Sequence, residues 1–305
     1  MKPTALIYSS HNRCEYLHRY LIVERALQST DNKTILYLPF SMRKQSDQEY
    51  SWGTFIWYFD KFKQWGLQAS VFFYNSGLKS PDMELLIQQI KNVEVLILGG
   101  GNTTIGFEQY GNIGSIYNGD KDLFKNLLHE RQRNGKLTVG FSAGALQLSD
   151  FCLHDNFYQP YSLIHNVSAT LHHDYERRNE LFQINNNSHN VLAFGLPNDS
   201  GIASNQGFLP SGNKWQILEF VIDNSWDAPE DYYHIKTRQG MGIEHFYKDG
   251  RNWTFFGGDR MLKIISPDYT FQGTWIVQPN SDIVWDYWTQ QPSHYHNIEH
   301  ILSMH

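Results

Sequence analysis

The stretch Leu137–Ser149, "LTVGFSAGALQLS", changes character at its centre. Its first five residues, Leu137 to Phe141, are typical of a buried strand, and the small residues after Ser142 favour the start of a helix. Glycines stand two places before and two places after Ser142, which gives the pattern G-x-S-x-G. A strand-to-helix corner this tight needs neighbours without bulky side chains, and it exposes the serine hydroxyl at the carboxyl end of the strand. The stretch therefore predicts a nucleophile elbow, with a serine that merely caps the helix as the alternative.

The chain before the elbow alternates between strand-like and helix-like segments. Four further apolar runs are typical of strands: "TALIYSS", "KTILYLPF", "QASVFFYN" and "VEVLILGGG". The segments between them have helical apolar spacing and are long enough for crossover connections, as in "SPDMELLIQQIKN". This alternation predicts an α/β fold with a doubly wound, mostly parallel sheet covered on both faces. Ligands of such sheets bind at the carboxyl ends of the strands.

The pattern changes after about residue 150, where short strands and loops replace the alternation. Residues 226–305 are rich in β-forming and aromatic residues, with turn signals at Asp249-Gly250 and Gly257-Gly258. We therefore expect a first domain over residues 1–225 and a β-rich C-terminal extension over residues 226–305. The extension could be a lid over the site, a packed cap, or the contact surface of a homodimer.

Composition limits the classes of function. The chain has 305 residues, of which 41% are hydrophobic and 18% charged, and this is typical of a globular protein rather than a disordered one. A net charge of −6 gives no reason to expect a nucleic acid or an anionic membrane as partner. Two cysteines, no apolar run long enough to span a bilayer and no leader-like N-terminus predict a cytoplasmic protein without a disulfide framework.

A second motif, "LILGGGNTT" at residues 96–104, follows a predicted buried strand. Three consecutive glycines allow close backbone approach and positive φ angles. In a doubly wound sheet this loop could lie beside Ser142 and supply N–H groups to an oxyanion. A phosphate-binding loop is an alternative, although the G-x-G-x-x-G and Gly-Lys-Ser/Thr spacings are missing, and a purely structural turn is another.

A third motif, "LHHDYERR", provides candidate bases and cations. A serine nucleophile needs a base, and His172 and His173 stand at the end of a predicted strand, where only one of the two side chains can face Ser142. Arg177 and Arg178 are residues of the type that binds carboxylates. A solvated charged loop is the alternative interpretation.

Taken together, these stretches resemble the family of serine peptidases that contains dipeptidase E and cyanophycinase. The matching pieces are "LGGGNT" at 98–103, "GFSAGA" at 140–145, "HHDYERR" at 172–178 and "FGLPNDSGI" at 194–202. The resemblance covers about residues 1–225, and it implies a flavodoxin-like, glutamine amidotransferase-like fold. Class I amidotransferases themselves carry a cysteine at the elbow, where this chain has Ser142.

The resemblance implies a role for each matching position. Ser142 is the nucleophile, the N–H groups of Gly101 and Ala143 form the oxyanion hole, and His172 is the base, with His173 one residue away as the alternative. The family places an acid between serine and histidine, for which Asp155 stands nearest the expected distance.

Asp150 is the alternative acid. Asn102, Arg177 and Arg178 are the candidate substrate-binding residues. No cofactor is expected, and no metal either, because His11, Cys14 and His18 have no evident fourth ligand.

The predicted function is that of a serine hydrolase cleaving small peptides or acidic amide bonds. The alternative is a catalytically silent protein that binds a ligand or a partner on the same fold.

Overall fold

The computed structural model of the protein describes residues 2–10, 14–150, 159–187, 191–223, 240–247, 249–279, 281 and 283–305. Its first half forms a parallel sheet. The strands are β1 (Ala5–Tyr8), β2 (Thr34–Leu38), β3 (Gln68–Val71), β4 (Val95–Leu98) and β5 (Leu137–Phe141). They lie side by side in the order β1-β5-β4-β2-β3, and every neighbouring pair is parallel. The five strands predicted before and at the elbow are confirmed.

Helices connect these strands. A π-helical segment, Leu17–Val23, continues into α1 (Glu24–Leu27), and the others are α2 (Gln45–Phe59), α3 (Ser80–Asn92), α4 (Thr103–Tyr117), α5 (Leu123–Arg133) and α6 (Ala143–Leu148). A 3-10 turn, Asp60–Trp65, extends α2 and ends at Gly66, which has a positive φ of 88°. Helix α4 was not predicted. It begins at Thr103 because Asn102 caps it, accepting the N–H of Ile105 at 3.0 Å.

Antiparallel strands extend the sheet beyond β1. These strands are β8 (Ser200–Phe208), β9 (Lys214–Ile222), β12 (Arg260–Ile265), β13 (Gln272–Val277) and β14 (Val284–Asp286), numbered by their order along the whole chain. The ten-stranded sheet has the order β14-β13-β12-β9-β8-β1-β5-β4-β2-β3. The α/β class and the large sheet are confirmed. In a flavodoxin-like sheet β1 lies between β2 and β3. Here β1 lies between β5 and β8, so the flavodoxin-like strand order is not confirmed.

A second, four-stranded sheet packs near the first. It contains β6 (Val167–Leu171), β7 (Leu192–Leu196), β10 (Ile243–Phe246) and β11 (Asn252–Phe255), in the order β11-β10-β7-β6. Strands β6 and β7 run parallel, with Leu171 opposite Leu196, so their carboxyl ends lie together. Helix α7 (Arg178–Asn187), which was not predicted, packs Leu181 and Ile184 against Ala193 of this sheet.

The last part of the chain contributes to both sheets. Strands β10 and β11 complete the small sheet, and β12, β13 and β14 extend the large one. The chain ends in α8 (Ile298–Met304), in which Ile301 is fully buried. The predicted turns at Asp249-Gly250 and Gly257-Gly258 are confirmed, since they connect β10 to β11 and β11 to β12. The domain boundary at residue 225 stays a prediction, and its loop lies outside the described residues.

The core lies on both faces of the parallel strands. One apolar cluster includes Leu36, Leu96 and Phe40, and a second includes Leu6, Ile97 and Val139, which alternate with the first along the strands. Coverage on both faces explains why β4 is a continuous apolar run. The described helices are too short or too polar to cross a lipid bilayer.

Candidate active site

The predicted elbow is a sharp turn between β5 and α6. Ser142 has φ 50° and ψ −120°, a backbone conformation that non-glycine residues rarely adopt. It stands at the N-cap position of α6, yet its side chain makes no capping hydrogen bond. The alternative of a simple capping serine therefore loses its support. Ser142 is partly exposed at the carboxyl end of β5.

Both glycines of the elbow are required by close packing. A Cβ atom at Gly140 would lie 2.3 Å from the carbonyl oxygen of Gly144. A Cβ atom at Gly144 would lie 2.3 Å from the carbonyl oxygen of Leu98. These contacts involve backbone atoms, which cannot move aside as a flexible side chain can. The G-x-S-x-G spacing thus reflects how tightly the turn is packed against itself and against β4.

The triglycine loop lies beside Ser142. Leu98 pairs with Gly140, so the residues after β4 run alongside the elbow. A Cβ atom at Gly100 would lie 3.2 Å from the Cβ atom of Ser142. Gly101 has φ 129°, and a Cβ atom there would lie 2.4 Å from the carbonyl oxygen of Ser41. A side chain at Gly100 would therefore press against Ser142, and one at Gly101 would press against the backbone of Ser41.

Two predicted site residues frame this loop. Ala143 is the first residue of α6, so its N–H has no acceptor within the helix. Asn102 is exposed, and its Oδ1 atom is engaged in capping α4, while its N–H donates to the carbonyl oxygen of Ser41 at 2.8 Å. The sequence placed Gly101, Asn102 and Ala143 around Ser142, and the structure brings the two loops together.

Aromatic side chains pack beneath these loops. The ring of Phe141 lies 5.5 Å from that of Tyr8 and stacks at 6.3 Å on that of Tyr37, measured between centroids. A Cβ atom at Gly99 would lie 2.5 Å from the Tyr37 hydroxyl oxygen, so the loop rests directly on this phenol. Burial raises the pKa of Tyr8 and of Tyr37, and both phenols therefore stay neutral at physiological pH.

His172 follows directly after β6 and is exposed. Its φ of 52° is positive, so the chain turns sharply at this residue. Its N–H donates to the Oγ atom of Ser9 at 2.7 Å. Ser9 is the residue after β1, and the preceding Tyr8 accepts the N–H of Ser142 at 3.1 Å. The backbone N–H groups of Ser142 and His172 therefore donate hydrogen bonds to two consecutive residues, Tyr8 and Ser9, at the carboxyl end of β1.

The side chain of His172 is oriented by Asn198, a residue that sequence reasoning missed. Its Nδ1 atom lies 2.6 Å from the Oδ1 atom of Asn198, which is buried at the end of β7. With the amide oxygen as acceptor, Nδ1 carries the proton and Nε2 is left as the basic nitrogen. The only available signal was the position of Asn198 after a predicted strand, within "FGLPNDSGI".

His173 has different surroundings. It is fully buried, and its Nε2 and Nδ1 atoms lie 2.8 Å from Glu244 Oε2 and 3.2 Å from Thr170 Oγ1. Its ring packs on Gly195, where a Cβ atom would lie 2.5 Å from the imidazole. Both ring nitrogens are thus engaged inside the small sheet, whereas His172 is the exposed histidine of the two.

Glu244 joins His173 to Arg178. Burial alone would raise the pKa of this carboxyl, but hydrogen bonds from Arg178 and His173 outweigh burial and lower the pKa from 4.5 to about 2. Arg178 donates to both carboxylate oxygens, with Nε at 3.1 Å from Oε1 and 3.0 Å from Oε2. Arg177 is paired in turn with Glu180, with Nε 2.8 Å from Oε2, and it also donates to the carbonyl oxygen of Leu171.

The two candidate acids have different outcomes. Asp155 lies outside the described residues. Asp150 accepts the N–H of Asn166 at 2.7 Å, just before β6 begins, whereas His172 follows the end of β6. The two positions are therefore about 20 Å apart along the strand, at roughly 3.3 Å per residue. The structure therefore does not bring Asp150 to His172, and the role of Asp150 as the acid stays a prediction.

Comparison with known proteins supports the fold. No protein-family model matches the chain, and no curated protein matches it. The crystal structure of a peptidase from an acI-B1 Actinobacterium is similar, with a TM-score of 0.55 and 13% identity, over 83% of this chain and 95% of that chain. At this identity the similarity shows a shared fold. A KaiC-like protein from the archaeon Pyrococcus horikoshii OT3 gives a TM-score of 0.28 at 6% identity, over 84% of this chain and 90% of that chain, and carries no argument.

Proposed function

We propose that the protein is a serine hydrolase that cleaves small peptides or acidic amide bonds through an acyl-enzyme. The observation that carries this proposal is the backbone of Ser142, held at φ 50° beside the triglycine loop, with no capping role for its side chain. A strained residue at the carboxyl edge of a sheet needs surrounding structure to hold it in place, and such strain is typical of nucleophiles. The peptidase of similar fold agrees with this choice of reaction.

The reaction begins with transfer of a proton from Ser142 Oγ to Nε2 of His172. The oxygen attacks the carbonyl carbon of the scissile amide, and a tetrahedral oxyanion forms. The imidazolium then gives its proton to the leaving nitrogen as the carbon–nitrogen bond breaks. Water, deprotonated by the same imidazole, attacks the ester carbon. The bond between this carbon and Ser142 Oγ then breaks, the imidazolium returns its proton to Oγ, and the acid is released.

The N–H groups of Gly101 and Ala143 would stabilise the oxyanion. Backbone donors are well suited to this role because they are already fixed before charge develops. Gly101 is held by its positive φ and its close contact with Ser41, and Ala143 by the start of α6. Neither donor needs a side chain.

Asn198 would hold the imidazole in the catalytic tautomer. A serine triad usually has an acid at this position, but a Cys-His-Asn arrangement in papain-like proteases shows that an amide oxygen can orient the base. The contact between His172 and Asn198 is buried on the amide side, which restricts rotation of the ring. The predicted acid Asp155 stays a prediction.

The preference for acidic substrates depends on cations near the site. Arg177 and Arg178 follow His172 by five and six residues, and their side chains are 33% and 43% exposed. Both guanidinium groups are already paired with Glu180 and Glu244, so a substrate carboxylate would share or displace these partners. Their role in substrate binding stays a prediction, tested by comparing Asp-X, Glu-X and neutral dipeptides with wild type and Arg178→Ala. A higher KM for the acidic dipeptides alone is expected.

A fluorophosphonate probe tests the nucleophile directly. We expect covalent labelling of the wild-type chain, with the adduct mapped to Ser142 by mass spectrometry, and no labelling of Ser142→Ala. Ser115→Ala is the matched control, since Ser115 lies on α4 and bonds to the carbonyl oxygen of Gly111. Labelling that persists in Ser142→Ala would refute the proposal. A folded wild type that is neither labelled nor active on dipeptides would indicate a ligand-binding protein instead.

A further inference from the structure

A cavity of about 330 Å³ lies at the end of the small sheet opposite to His172. Asn166 and Leu192, at the amino ends of β6 and β7, line one side, and Lys263 and Thr274 of β12 and β13 line another. A neighbouring cavity of about 420 Å³ shares Asn166, Lys263 and Ile265 with the first. Lys263 therefore stands where the two cavities meet.

Lys263 is a buried lysine in the middle of a strand. Its side chain lies between its cross-strand neighbours Gln216 and Thr274, and all three residues are at least nine-tenths buried. Among the described residues, the side chain of Lys263 has no hydrogen bond and no ion pair, and Asp150 is the carboxylate whose charge acts on it. A buried ammonium group without a partner is costly, so its retention at this position calls for a ligand or a function.

The buried polar atoms around this lysine that lack a partner are hydrogen-bond donors. Asn185 and Tyr247 line the first cavity and Gln216 lines the second. The Nδ2 atom of Asn185 and the Nε2 atom of Gln216 are buried without a hydrogen-bond partner. Asn185 is 3% exposed and Gln216 is 5% exposed, so neither group is satisfied by bulk water. A molecule that satisfies these donors must present acceptors.

The charges that face the two cavities are predominantly positive. Arg251 and Lys214 line them together with Lys263. Burial lowers the pKa of Lys263 to about 8, against a smaller opposing effect of Asp150, so the amine is still mostly cationic at pH 7. Asp249, the carboxylate that lines the first cavity, is exposed and bonded to Arg251 at 2.7 Å.

His165 stays neutral, because burial lowers its pKa to about 4. The carboxylate of Asp150 also acts on Lys263 and Lys214. Three cationic side chains, Lys263, Lys214 and Arg251, thus stand against the two carboxylates of Asp150 and Asp249, and the balance of charge at neutral pH favours an anion.

We propose that this cavity binds a small organic carboxylate. The ammonium group of Lys263 and the amide of Asn185 bind the carboxylate, and the apolar body lies against the aromatic wall of the first cavity. That wall contains Tyr247 and Tyr287, whose rings stack at 4.7 Å between centroids, and Trp288, whose ring is 4.8 Å from that of Tyr287. A flat apolar group is the kind of body that such a wall accommodates.

The proposed site is separate from the candidate active site. Asn166 precedes β6 and His172 follows it, so the whole length of the strand lies between the cavity and the imidazole. The proposal therefore does not depend on the function of Ser142, and a variant at Lys263 is expected to keep the labelling by fluorophosphonate.

Isothermal titration calorimetry of the full chain at pH 7 tests the site. The probes are phenylacetate, the uncharged phenylacetamide and inorganic phosphate, each up to about 10 mM. We expect phenylacetate to bind wild type at one site and to bind Lys263→Met at least about tenfold more weakly, the usual effect of losing a hydrogen bond to a charged group. We expect phenylacetamide to bind wild type at least about tenfold more weakly than phenylacetate does, because it has no charge for the ammonium group to bind. Lys61→Met, at an exposed lysine on the 3-10 turn after α2, is the matched control and should bind as wild type does.

Thermal melting of each variant verifies the fold. Lys263→Met is expected to melt at the same temperature as wild type or higher, because it removes an unpaired buried charge. Three results would overturn the proposal: no binding of phenylacetate to wild type, equal binding to Lys263→Met, or binding of phosphate in place of phenylacetate.

Discussion

The Nδ1 atom of His172 lies 2.6 Å from the Oδ1 atom of Asn198. The two residues are 26 positions apart in the chain, and they meet because β6 and β7 are parallel neighbours whose ends are in register. An amide at this position fixes the ring without adding a negative charge beside it. Among the described residues, the partner that the structure gives to Nδ1 of the proposed base is therefore an amide rather than a carboxylate.

Replacement of Asn198 tests this orientation. We expect Asn198→Ala to slow fluorophosphonate labelling by about a hundredfold or more, since loss of the correct tautomer in a serine triad reduces rates by up to about ten-thousandfold. Asn198→Asp keeps an acceptor and adds a charge that favours the imidazolium form, so the pH of half-maximal labelling should move upward. Asn112→Ala, at an exposed amide on α4, is the control. An unchanged labelling rate in Asn198→Ala would show that this contact does not position the base.

The packing of the elbow leads to a stability prediction. Gly140→Ala places a Cβ atom 2.3 Å from a backbone oxygen, and we expect the free energy of unfolding to fall by about 1–3 kcal/mol, the range for overpacking. Gly111→Ala is the matched control because it lies within α4 and a Cβ atom there meets nothing within 4 Å. That change should raise the stability by about 0.5–1 kcal/mol. Urea unfolding followed by circular dichroism measures both; equal effects would contradict the packing argument.

The sharp turn at Ser142 and the parallel strands could be predicted because their signals are local. A buried parallel strand is a continuous apolar run, and the G-x-S-x-G pattern specifies its own turn, so neither needs knowledge of distant partners. Helix α4 was missed because Gly106, Gly111 and Gly114 lower its helix propensity. Tertiary packing explains two of these glycines: a Cβ atom would lie 2.0 Å from Gln147 Nε2 at Gly106 and 1.7 Å from the carbonyl oxygen of Asp120 at Gly114.

The residues around His172 could not be assigned from the sequence for a different reason. Which of His172 and His173 is exposed and which is buried depends on the turn after β6, where His172 has a positive φ that nothing in its own sequence requires. Asn198 and Glu244 reach the two histidines through strand pairing across the small sheet. Such long-range partners follow from register, which sequence patterns do not supply.

Arg131 connects three elements of the parallel half, and its replacement should be severe. Its buried guanidinium donates to the carbonyl oxygens of Ile90, Val93, Glu94 and Leu137, at 2.6 to 3.2 Å. Arg131→Met would leave these oxygens without their donor, so we expect a loss of about 3–5 kcal/mol in the free energy of unfolding. Arg133→Met, on the same helix, should change it by less than about 0.5 kcal/mol. A loss of under 1 kcal/mol in Arg131→Met would show that water replaces the guanidinium.

The ion pair between Glu244 and Arg178 predicts how stability depends on pH. The carboxyl has a pKa of about 2 in the folded chain and 4.5 as the ordinary value, so the folded state holds the charged form more tightly than the unfolded state does. The resulting stabilisation is fully present above about pH 5 and is lost as the pH falls from 4.5 towards 2. We expect Glu244→Gln to lower the free energy of unfolding by on the order of 3 kcal/mol at pH 7, the amount that a shift of this size represents.

The difference between Glu244→Gln and wild type should shrink at low pH, because protonation removes the same charge from wild type. Urea unfolding at pH 7, 5, 4 and 3 measures this difference. Glu180→Gln is the control, since its partner Arg177 is one-third exposed and the pair contributes less. A difference that is as large at pH 3 as at pH 7 would mean that Glu244 stabilises the small sheet through its shape and hydrogen bonds rather than through its charge.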